Sequence, residues 1–283
     1  MSAVDATLTF LGTGTSMGVP TVGCTCAVCK SPDPRDRRLR PSVLVRWKER
    51  PSEPGSAERP RAVLVDTGPD FRQQALRAGI AHLDAVLYTH SHADHILGMD
   101  DLRPLSFISH HAGGSLPLYA SIETASVLER VYDYTFSPNA TYATRARVEI
   151  RPLGERTMIH HVEFIQVPVL HGQMEVAGFR FGDTAYLTDV SEIPETSFAL
   201  LEGVQTLVLP ALRHKPHPTH ATVEQAVGWS RRIGARQTWL THIAHELGHE
   251  ETNRMLPENV RMAWDGLEIP VLLHRAGGEG RRA

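Results

Sequence analysis

The sequence predicts a layered α/β fold, organised as one domain over residues 1–283. Short apolar runs that are typical of buried strands occur in both halves of the chain, with helical patterns between them. Several of these runs end in histidine or aspartate. Strands that are buried under helices form layers, so we expect polar side chains from distant segments to meet at the strand ends.

Composition and charge narrow the classes of protein. Of the 283 residues, 41% are hydrophobic, which is enough for a sizeable core. The formal net charge of −3 excludes a global basic field that would recruit nucleic acid or an anionic membrane. The chain starts without a secretory pattern and no apolar run reaches spanning length, so we expect a soluble, cytoplasmic protein.

Each element is predicted from its local pattern and from the turn residues that bound it. Predicted strands cover residues 6–11, 42–47, 62–65, 83–88, 116–120, 162–169, 177–181, 184–188, 206–211 and 237–241, and residues 263–269 form a terminal hairpin piece. Predicted helices cover residues 71–79, 122–134 and 222–233. Gly79 is expected to end the first of these helices.

A dense group of metal-binding side chains follows the strand predicted over residues 83–88. The segment Thr89-His90-Ser91-His92-Ala93-Asp94-His95 places three histidines and an aspartate in a strand-to-helix turn, where they can converge. Imidazole and carboxylate together suit zinc, manganese or iron. A solvated loop does not account for this spacing, so the segment predicts a metal site.

Other strand ends carry side chains that can join this site. Asp66 follows the strand over residues 62–65, where it can orient a ligand histidine or can bond its own turn backbone. His171, Asp189 and His242 each follow a later strand. A polar loop before the helix over residues 222–233 adds three more histidines, which are His214, His217 and His220.

A second site is predicted near residues 23–30. The chain has three cysteines, and Cys24, Cys26 and Cys29 form one C-x-C-x-x-C run rather than a disulfide framework. Three thiolates can fill three corners of a tetrahedral zinc site. The fourth ligand must come from elsewhere in the chain.

Two loops and one arginine allow alternative interpretations. The glycine-rich loop over residues 12–20 either lies tightly under the metal site, which we favour, or contacts the substrate. Arg103 can meet a phosphate or pair with an aspartate. The loop over residues 31–41 is interpreted as a solvated basic loop in preference to a phosphate site. It contains Arg35, Arg37, Arg38 and Arg40.

Taken together, these motifs resemble the metallo-β-lactamase superfamily in both identity and order along the chain. The resemblance implies a four-layer αββα sandwich with a dinuclear metal centre. One metal would be bound by His90, His92 and His171. The second would be bound by Asp94, His95 and His242, with Asp189 bridging the two and Asp66 orienting a ligand histidine without binding metal itself.

Four segments resemble the PhnP branch of the superfamily, the phosphoribosyl cyclic phosphate phosphodiesterases. They are Gly12-Thr13-Gly14, Gly18-Val19-Pro20, the cysteine run, and Thr241-His242-Ile243-x-His245. The resemblance implies that His245 completes a structural zinc site with the three cysteines. It also implies that His220 is the general acid, although His214 and His217 remain alternatives. Members of the branch commonly form homodimers.

The implied function is hydrolysis of a small, cyclic phosphodiester by water that two divalent ions activate, with Asp94 and His220 as catalytic groups. The ions would be zinc or manganese, or else iron, beside one structural zinc. The alternatives are a tRNA 3′-processing-type endonuclease, an acyl or thioester hydrolase, and a noncatalytic PqqB-like carrier. No long basic or glycine-proline arm is visible, which favours a small molecule over nucleic acid as the partner.

Overall fold

The computed structural model describes residues 2–49, 57–111, 113–139, 141 and 143–275, and the rest of the domain predicted over 1–283 lies outside them. The strands are β1 (Ser2–Gly12), β2 (Ser42–Glu49), β3 (Arg59–Val65), β4 (Ala85–Leu87), β5 (Leu116–Ala120), β6 (Val148–Pro152), β7 (Arg156–Ile159), β8 (Val162–His171), β9 (Met174–Phe181), β10 (Thr184–Tyr186), β11 (Thr206–Pro210), β12 (Gln237–Thr241), β13 (Val260–Met262) and β14 (Glu268–Arg275). The helices are α1 (Phe71–Arg77), α2 (Ala93–Ile96), α3 (Arg103–His111), α4 (Ile122–Val131), α5 (Asp133–Phe136), α6 (Glu195–Leu200), α7 (Val223–Ile233) and α8 (His249–Met255).

The strands form one path with two halves. Its order is β13-β12-β11-β10-β9-β8-β14-β1-β2-β3-β4-β5-β6, and β7 pairs with β8. In each half an antiparallel section leads into parallel strands, β3 to β6 on one side and β10 to β13 on the other. Between β8 and β14 the register contains a single pair, Val162 with Arg275. The halves can therefore face each other rather than continue as one flat sheet.

The space between the two halves is an apolar core. Val43 and Val45 of β2 pack into the same buried cluster as Phe179 and Phe181 of β9. Because side chains alternate between the faces of a strand, the residues between them point the other way. Leu44 accordingly belongs to a different cluster, on the outer face.

Helices cover both outer faces. On one side the outer cluster includes Phe71 of α1 and Leu128 of α4, and on the other side it includes Val223 and Ala226 of α7. Helix, sheet, sheet and helix thus lie in four layers. This arrangement confirms the αββα sandwich that the resemblance implies.

Helices α3, α6 and α8 and strand β13 were not predicted, and the other differences lie at element edges and in short strands. The helix predicted over residues 122–134 is broken at Tyr132, whose φ of −116° and ψ of 43° are not helical, so α4 and α5 are separate. β6 and β7 were not predicted, because they are short and largely half-buried or exposed, and lack a continuous apolar run. Among the described residues, no helix has the length and apolarity needed to cross a bilayer.

The turn from β9 to β10 depends on a glycine. Gly182 has a φ of +61°, and a Cβ placed on it would lie 1.9 Å from the carbonyl oxygen of Leu272 in β14. Asp183 in the same turn donates its backbone N–H to that oxygen at 3.2 Å. The turn is therefore packed against β14 and has no room for a side chain.

We expect Gly182→Ala to lower the free energy of unfolding more than Gly203→Ala. Both glycines have positive φ, at +61° and +77°, but nothing lies within 4 Å of a Cβ at Gly203. The loss of stability in Gly203→Ala therefore measures the cost of a left-handed backbone alone, roughly 1–2 kcal/mol. The additional loss in Gly182→Ala measures the clash with Leu272. Urea denaturation of both variants measures it, and equal losses would contradict the prediction.

Candidate metal centre

Strand ends from both halves of the sandwich supply the candidate metal-binding residues. Asp66 follows β3 and His90 follows β4 in one half. In the other half His171 is the last residue of β8, and Asp189 and His242 follow β10 and β12. The site therefore lies across the edge where the two halves meet, as expected for α/β sheets.

Three of these residues have an unusual backbone conformation. Asp66, Asp189 and His242 have φ values of 63°, 54° and 53°, in the left-handed region. That region costs a residue with a Cβ roughly 1–2 kcal/mol. Strained backbone of this kind concentrates at functional sites, where the surrounding structure holds it in place.

The first group of candidate ligands is made of histidines. His90, His92 and His171 can each offer a nitrogen within 4.8 Å of the others. His171 Nδ1 lies 2.7 Å from the carbonyl oxygen of Thr219, to which it can donate, so its Nε2 remains to bind a metal. His90 and His171 are buried whereas His92 is exposed, so the group opens to solvent on one side.

The second group mixes carboxylates and imidazoles, all of them buried. It consists of Asp94, His95, Asp189 and His242. His95 Nε2 lies 3.2 Å from Asp94 Oδ2 and 3.1 Å from Asp189 Oδ2. The Oδ2 atom of Asp189 is also 3.2 Å from His242 Nδ1.

Asp189 connects the two groups. Besides belonging to the second group, it lies with His171 and His220 in a further set whose ligand atoms are within 4.8 Å of one another. Thr188 Oγ1 donates to Asp189 Oδ2 at 2.8 Å and so fixes the carboxylate. One carboxylate placed between two ligand sets is the arrangement expected of a bridging ligand.

The donor atoms fit divalent cations. Five buried atoms of the two groups have no hydrogen-bond partner within the described structure, and they are His90 Nε2, Asp94 Oδ2, His95 Nε2, and Nδ1 and Nε2 of His242. Buried polar atoms are normally paired, so a converging set of unpaired ones indicates a ligand. Imidazole and carboxylate donors suit zinc, manganese or iron.

The pKa shifts of the candidate ligands also fit a divalent cation. Burial, with the neighbouring His95, lowers the pKa of His90 well below its ordinary value, which leaves the neutral ring that metal binding requires. Burial also acts to lower the pKa of His95, but Asp189, Asp94 and Asp66 together raise it well above the ordinary value. These three carboxylates therefore favour positive charge at this point, which a bound cation would supply.

Asp66 is placed to orient His95. Its Oδ2 lies 2.7 Å from His95 Nδ1, and its two oxygens accept hydrogen bonds from the backbone N–H and the hydroxyl of Thr89, both at 2.8 Å. This pairing directs His95 Nε2 toward the second group. Of the two interpretations of Asp66, the structure favours the one in which it anchors a histidine.

Two glycines let α2 pack against the loop after Asp66. A Cβ at Gly68 would lie 2.1 Å from the carbonyl oxygen of Asp94, and a Cβ at Gly98 would lie 2.1 Å from that of Gly68. The backbone N–H of Thr67 donates to the carbonyl of His95 at 2.8 Å. The short helix is therefore fixed by backbone contacts on both sides of its two candidate ligands.

The three loop histidines have different surroundings. His220 packs its ring 4.6 Å from that of His171 and 4.7 Å from that of His242, and its Nδ1 is 3.7 Å from Asp189 Oδ1. His217 lies behind it, with ring centroids 5.0 Å apart. His214 pairs instead with Glu224 at 2.6 Å. Only His220 of the three lies against the second group.

The cysteine run meets the predicted fourth ligand. Cys24, Cys26, Cys29 and His245 can offer ligand atoms within 4.8 Å of one another. His245 Nδ1 lies 3.3 Å from Cys24 Sγ and 3.4 Å from Cys26 Sγ. A hydrogen bond from the backbone N–H of Cys29, together with His245, lowers the pKa of the Cys26 thiol to about 6, which favours the thiolate that binds metal.

The glycine-rich loop lies along the His242 turn rather than over the ligands. Thr15 donates its backbone N–H to the carbonyl of Ile243 at 3.2 Å, and Ile243 donates to Thr13 at 2.9 Å. This favours the structural interpretation of the loop. Arg103 pairs with Asp100 at 2.9 Å.

The expectation of a solvated basic loop over residues 31–41 is wrong for one arginine. Arg38 is 1% exposed and is among the largest fully buried side chains. Its guanidinium is surrounded by backbone carbonyls and one carboxylate, which the sequence around it does not reveal. Arg35 and Arg40 remain partly exposed and pair with Asp33 and Asp70.

Sequence reasoning missed the residues that hold the ligands in place. Thr89 and Thr188 each come directly before a candidate ligand and donate to a buried carboxylate, so a threonine before a ligand was an available signal. Thr219 acts through its backbone carbonyl on His171. No side-chain pattern could have indicated that role.

Comparisons with known proteins identify the family of the chain. Residues 61–243 match the β-lactamase superfamily domain. The chain is similar to a diphosphatase from the PhnP family of known crystal structure, with 50% identity and a TM-score of 0.86, over 96% of this chain and 99% of that one.

Two curated proteins are also similar. An octanoyltransferase from Porphyromonas gingivalis is 36% identical over 92% of this chain, which spans about half, 51%, of that protein's length. A ribonuclease Z from Mycobacterium bovis is 27% identical over 89% of this chain and 96% of its own length.

We expect Asp66→Asn to weaken metal binding at the second group by roughly 10–100-fold, because the amide no longer fixes the charge and orientation of His95. Asp70→Asn is the matched control, since Asp70 lies in the same loop but pairs with Arg40. Equilibrium dialysis against zinc and manganese, with metal counted per chain, measures the effect. Equal losses of metal binding in both variants would show that the effect comes from disturbing the loop rather than from His95.

Proposed function

The chain belongs to the metallo-β-lactamase superfamily of metal-dependent hydrolases, in the branch of the PhnP family, and we propose that it hydrolyses a small phosphodiester, with a cyclic one as the first candidate. The observation that carries the proposal is the pair of ligand groups joined by Asp189, with His220 packed against both. A phosphodiester presents two oxygens to such a pair, together with a leaving group.

His90, His92 and His171 would hold one metal ion, and Asp94, His95 and His242 the other, with Asp189 between them. When bound, two such ions supply Lewis acidity and lower the pKa of a water that attacks phosphorus. Zinc and manganese both suit these donors, as does iron. The cysteine cluster with His245 would hold a separate structural zinc.

Other residues of the chain would orient the ligand histidines and protonate the leaving group. Asp66 and Thr219 fix the ring directions of His95 and His171 through hydrogen bonds of 2.7 Å. His220 would donate a proton to the leaving alkoxide. Burial and the neighbouring His242 lower the pKa of His220 to about 3, and an anionic phosphate beside the ring would oppose this shift, because negative charge favours the imidazolium.

The surroundings favour a small substrate over RNA. Arginines near the site motifs are paired with carboxylates: Arg40 with Asp70, Arg103 with Asp100, and Arg213 with Glu246. A polyanion is bound mainly by cations that are available to its phosphates. With a net charge of −3, the chain offers little general attraction for tRNA.

A second candidate is a diphosphate. The similar diphosphatase is 50% identical over nearly its whole length, and a diphosphate presents the same phosphoryl oxygens to a metal pair. Because two similar proteins are a ribonuclease Z and an octanoyltransferase, RNA and an octanoyl-group donor are the substrates to compare with these phosphate compounds.

Purified protein should hydrolyse bis(p-nitrophenyl) phosphate when manganese or zinc is added, and chelation should abolish turnover. We expect about three ions per chain, two of them exchangeable and one retained. Metal counting beside the assay checks both parts. A full complement of ions without phosphodiester or diphosphate turnover would point to acyl hydrolysis or a binding role.

His220→Ala should lower kcat by roughly 10²–10⁴-fold, the usual worth of a positioned acid, with metal content unchanged. His214→Ala is the control, because that ring pairs with Glu224 away from the ligands. Steady-state kinetics and metal counting are done on both variants. Loss of an ion from the His220 variant would instead make this residue a ligand.

A further inference from the structure

One short turn carries a candidate ligand for each of the two metal sites. His242 belongs to the active-centre group and His245 to the cysteine cluster, with only Ile243 and Ala244 between them. His242 has a left-handed backbone, with a φ of 53°. A small movement of this turn would displace both imidazoles together.

The turn is held by a buried arginine. The side chain of Arg38 is 0% exposed. Its Nη1 donates to the carbonyl of Ala244 at 3.1 Å, and its Nη2 donates to the carbonyl of Leu247 at 2.8 Å. The planar guanidinium thus spans the turn on either side of His245.

Arg38 is itself fixed to the loop that carries the cysteines. Its Nη2 also donates to Asp36 Oδ1 at 2.8 Å, and that oxygen accepts the backbone N–H of His249 at the start of α8. Its backbone exchanges two hydrogen bonds with Val19, at 2.7 and 2.9 Å. The segment from Val19 to Arg38 is therefore closed at its ends and encloses the three cysteines.

We propose that Arg38 is a positioning residue that couples the cysteine cluster to the active centre, so that metal bound at one site strengthens metal binding at the other. The proposal rests on the proposed metal roles of His242 and His245. Coupling between two binding sites is reciprocal, so loss of either ion must weaken the other by the same factor.

The chemistry of the contact explains why arginine is needed. Removing a donor from buried carbonyls leaves them unpaired, which is unfavourable. Lysine keeps the charge beside Asp36 but lacks the planar fork that reaches two carbonyls and a carboxylate at once. Arg38→Lys should therefore retain part of the coupling, and Arg38→Met should lose it.

The experiment is a cobalt titration of the full chain. Cobalt bound by thiolates gives a charge-transfer band that imidazole and carboxylate ligands do not give, so the two sites are read separately. We expect Arg38→Met to bind cobalt at the active centre roughly 10–100-fold more weakly than the wild type, with Arg38→Lys in between. Arg35→Met is the matched control, because Arg35 lies in the same loop and forms a surface pair with Asp33.

A double-mutant cycle with Cys24→Ser tests the coupling itself. Removing this thiolate should weaken active-centre cobalt binding in the wild type and in Arg35→Met, and should have a smaller effect in Arg38→Lys, which retains part of the coupling. The cycle uses Arg38→Lys, so it remains decisive if Arg38→Met does not fold. Equal effects of Cys24→Ser in all backgrounds, or an Arg38→Met chain that binds active-centre cobalt as the wild type does, would overturn the proposal.

The same titration separates this proposal from the proposed function. A wild-type chain that binds no cobalt at the histidine and aspartate groups would refute the metal roles themselves. A wild-type chain that binds cobalt at both sites, with additive effects in the cycle, would refute the coupling alone.

Discussion

The buried carboxylate of Asp189 is the constraint on which the rest of the site depends. A charge in the interior is strongly unfavourable unless neighbouring groups compensate it. Asp189 is 2% exposed, and its compensation comes from imidazoles that follow β4 and β12, with His220 beside them. The fold must therefore bring strand ends from both halves of the sandwich to one point, and that requirement fixes how closely the halves meet.

Hydrogen bonding alone does not satisfy the groups assembled there. The Nε2 atoms of His90 and His95 and both ring nitrogens of His242 lack hydrogen-bond partners in the described part of the chain. Backbone strain also indicates a functional site here. Asp66, Asp189 and His242 each have a left-handed backbone that turns the chain sharply at a strand end. A site that is both strained and unsatisfied is arranged for a ligand, and the donor types select divalent metal.

Local sequence was enough to predict the layered fold and the identity of the residues that converge. A buried strand that ends in a metal-ligand residue is a local pattern, and it occurs at His90, at His171 and at His242. What could not be predicted depends on contacts between distant segments. Arg38 looks like its solvated neighbours in sequence, and its burial follows from carbonyls more than 200 residues away. Thr219 acts through a backbone atom that every residue has.

The segment from Val19 to Arg38 shows why such a contact matters. Within it, the one helical element is a 3₁₀ turn at Pro34–Asp36, so most of its backbone groups find partners outside regular structure. Few apolar side chains of this segment are buried, and Val19 and Cys29 are among them. With little core of its own, the loop is held by the cysteine cluster within it and by Arg38 at its end. Both attachments lead to the turn between His242 and His245, because the cysteine cluster includes His245 and Arg38 donates to the carbonyl of Ala244.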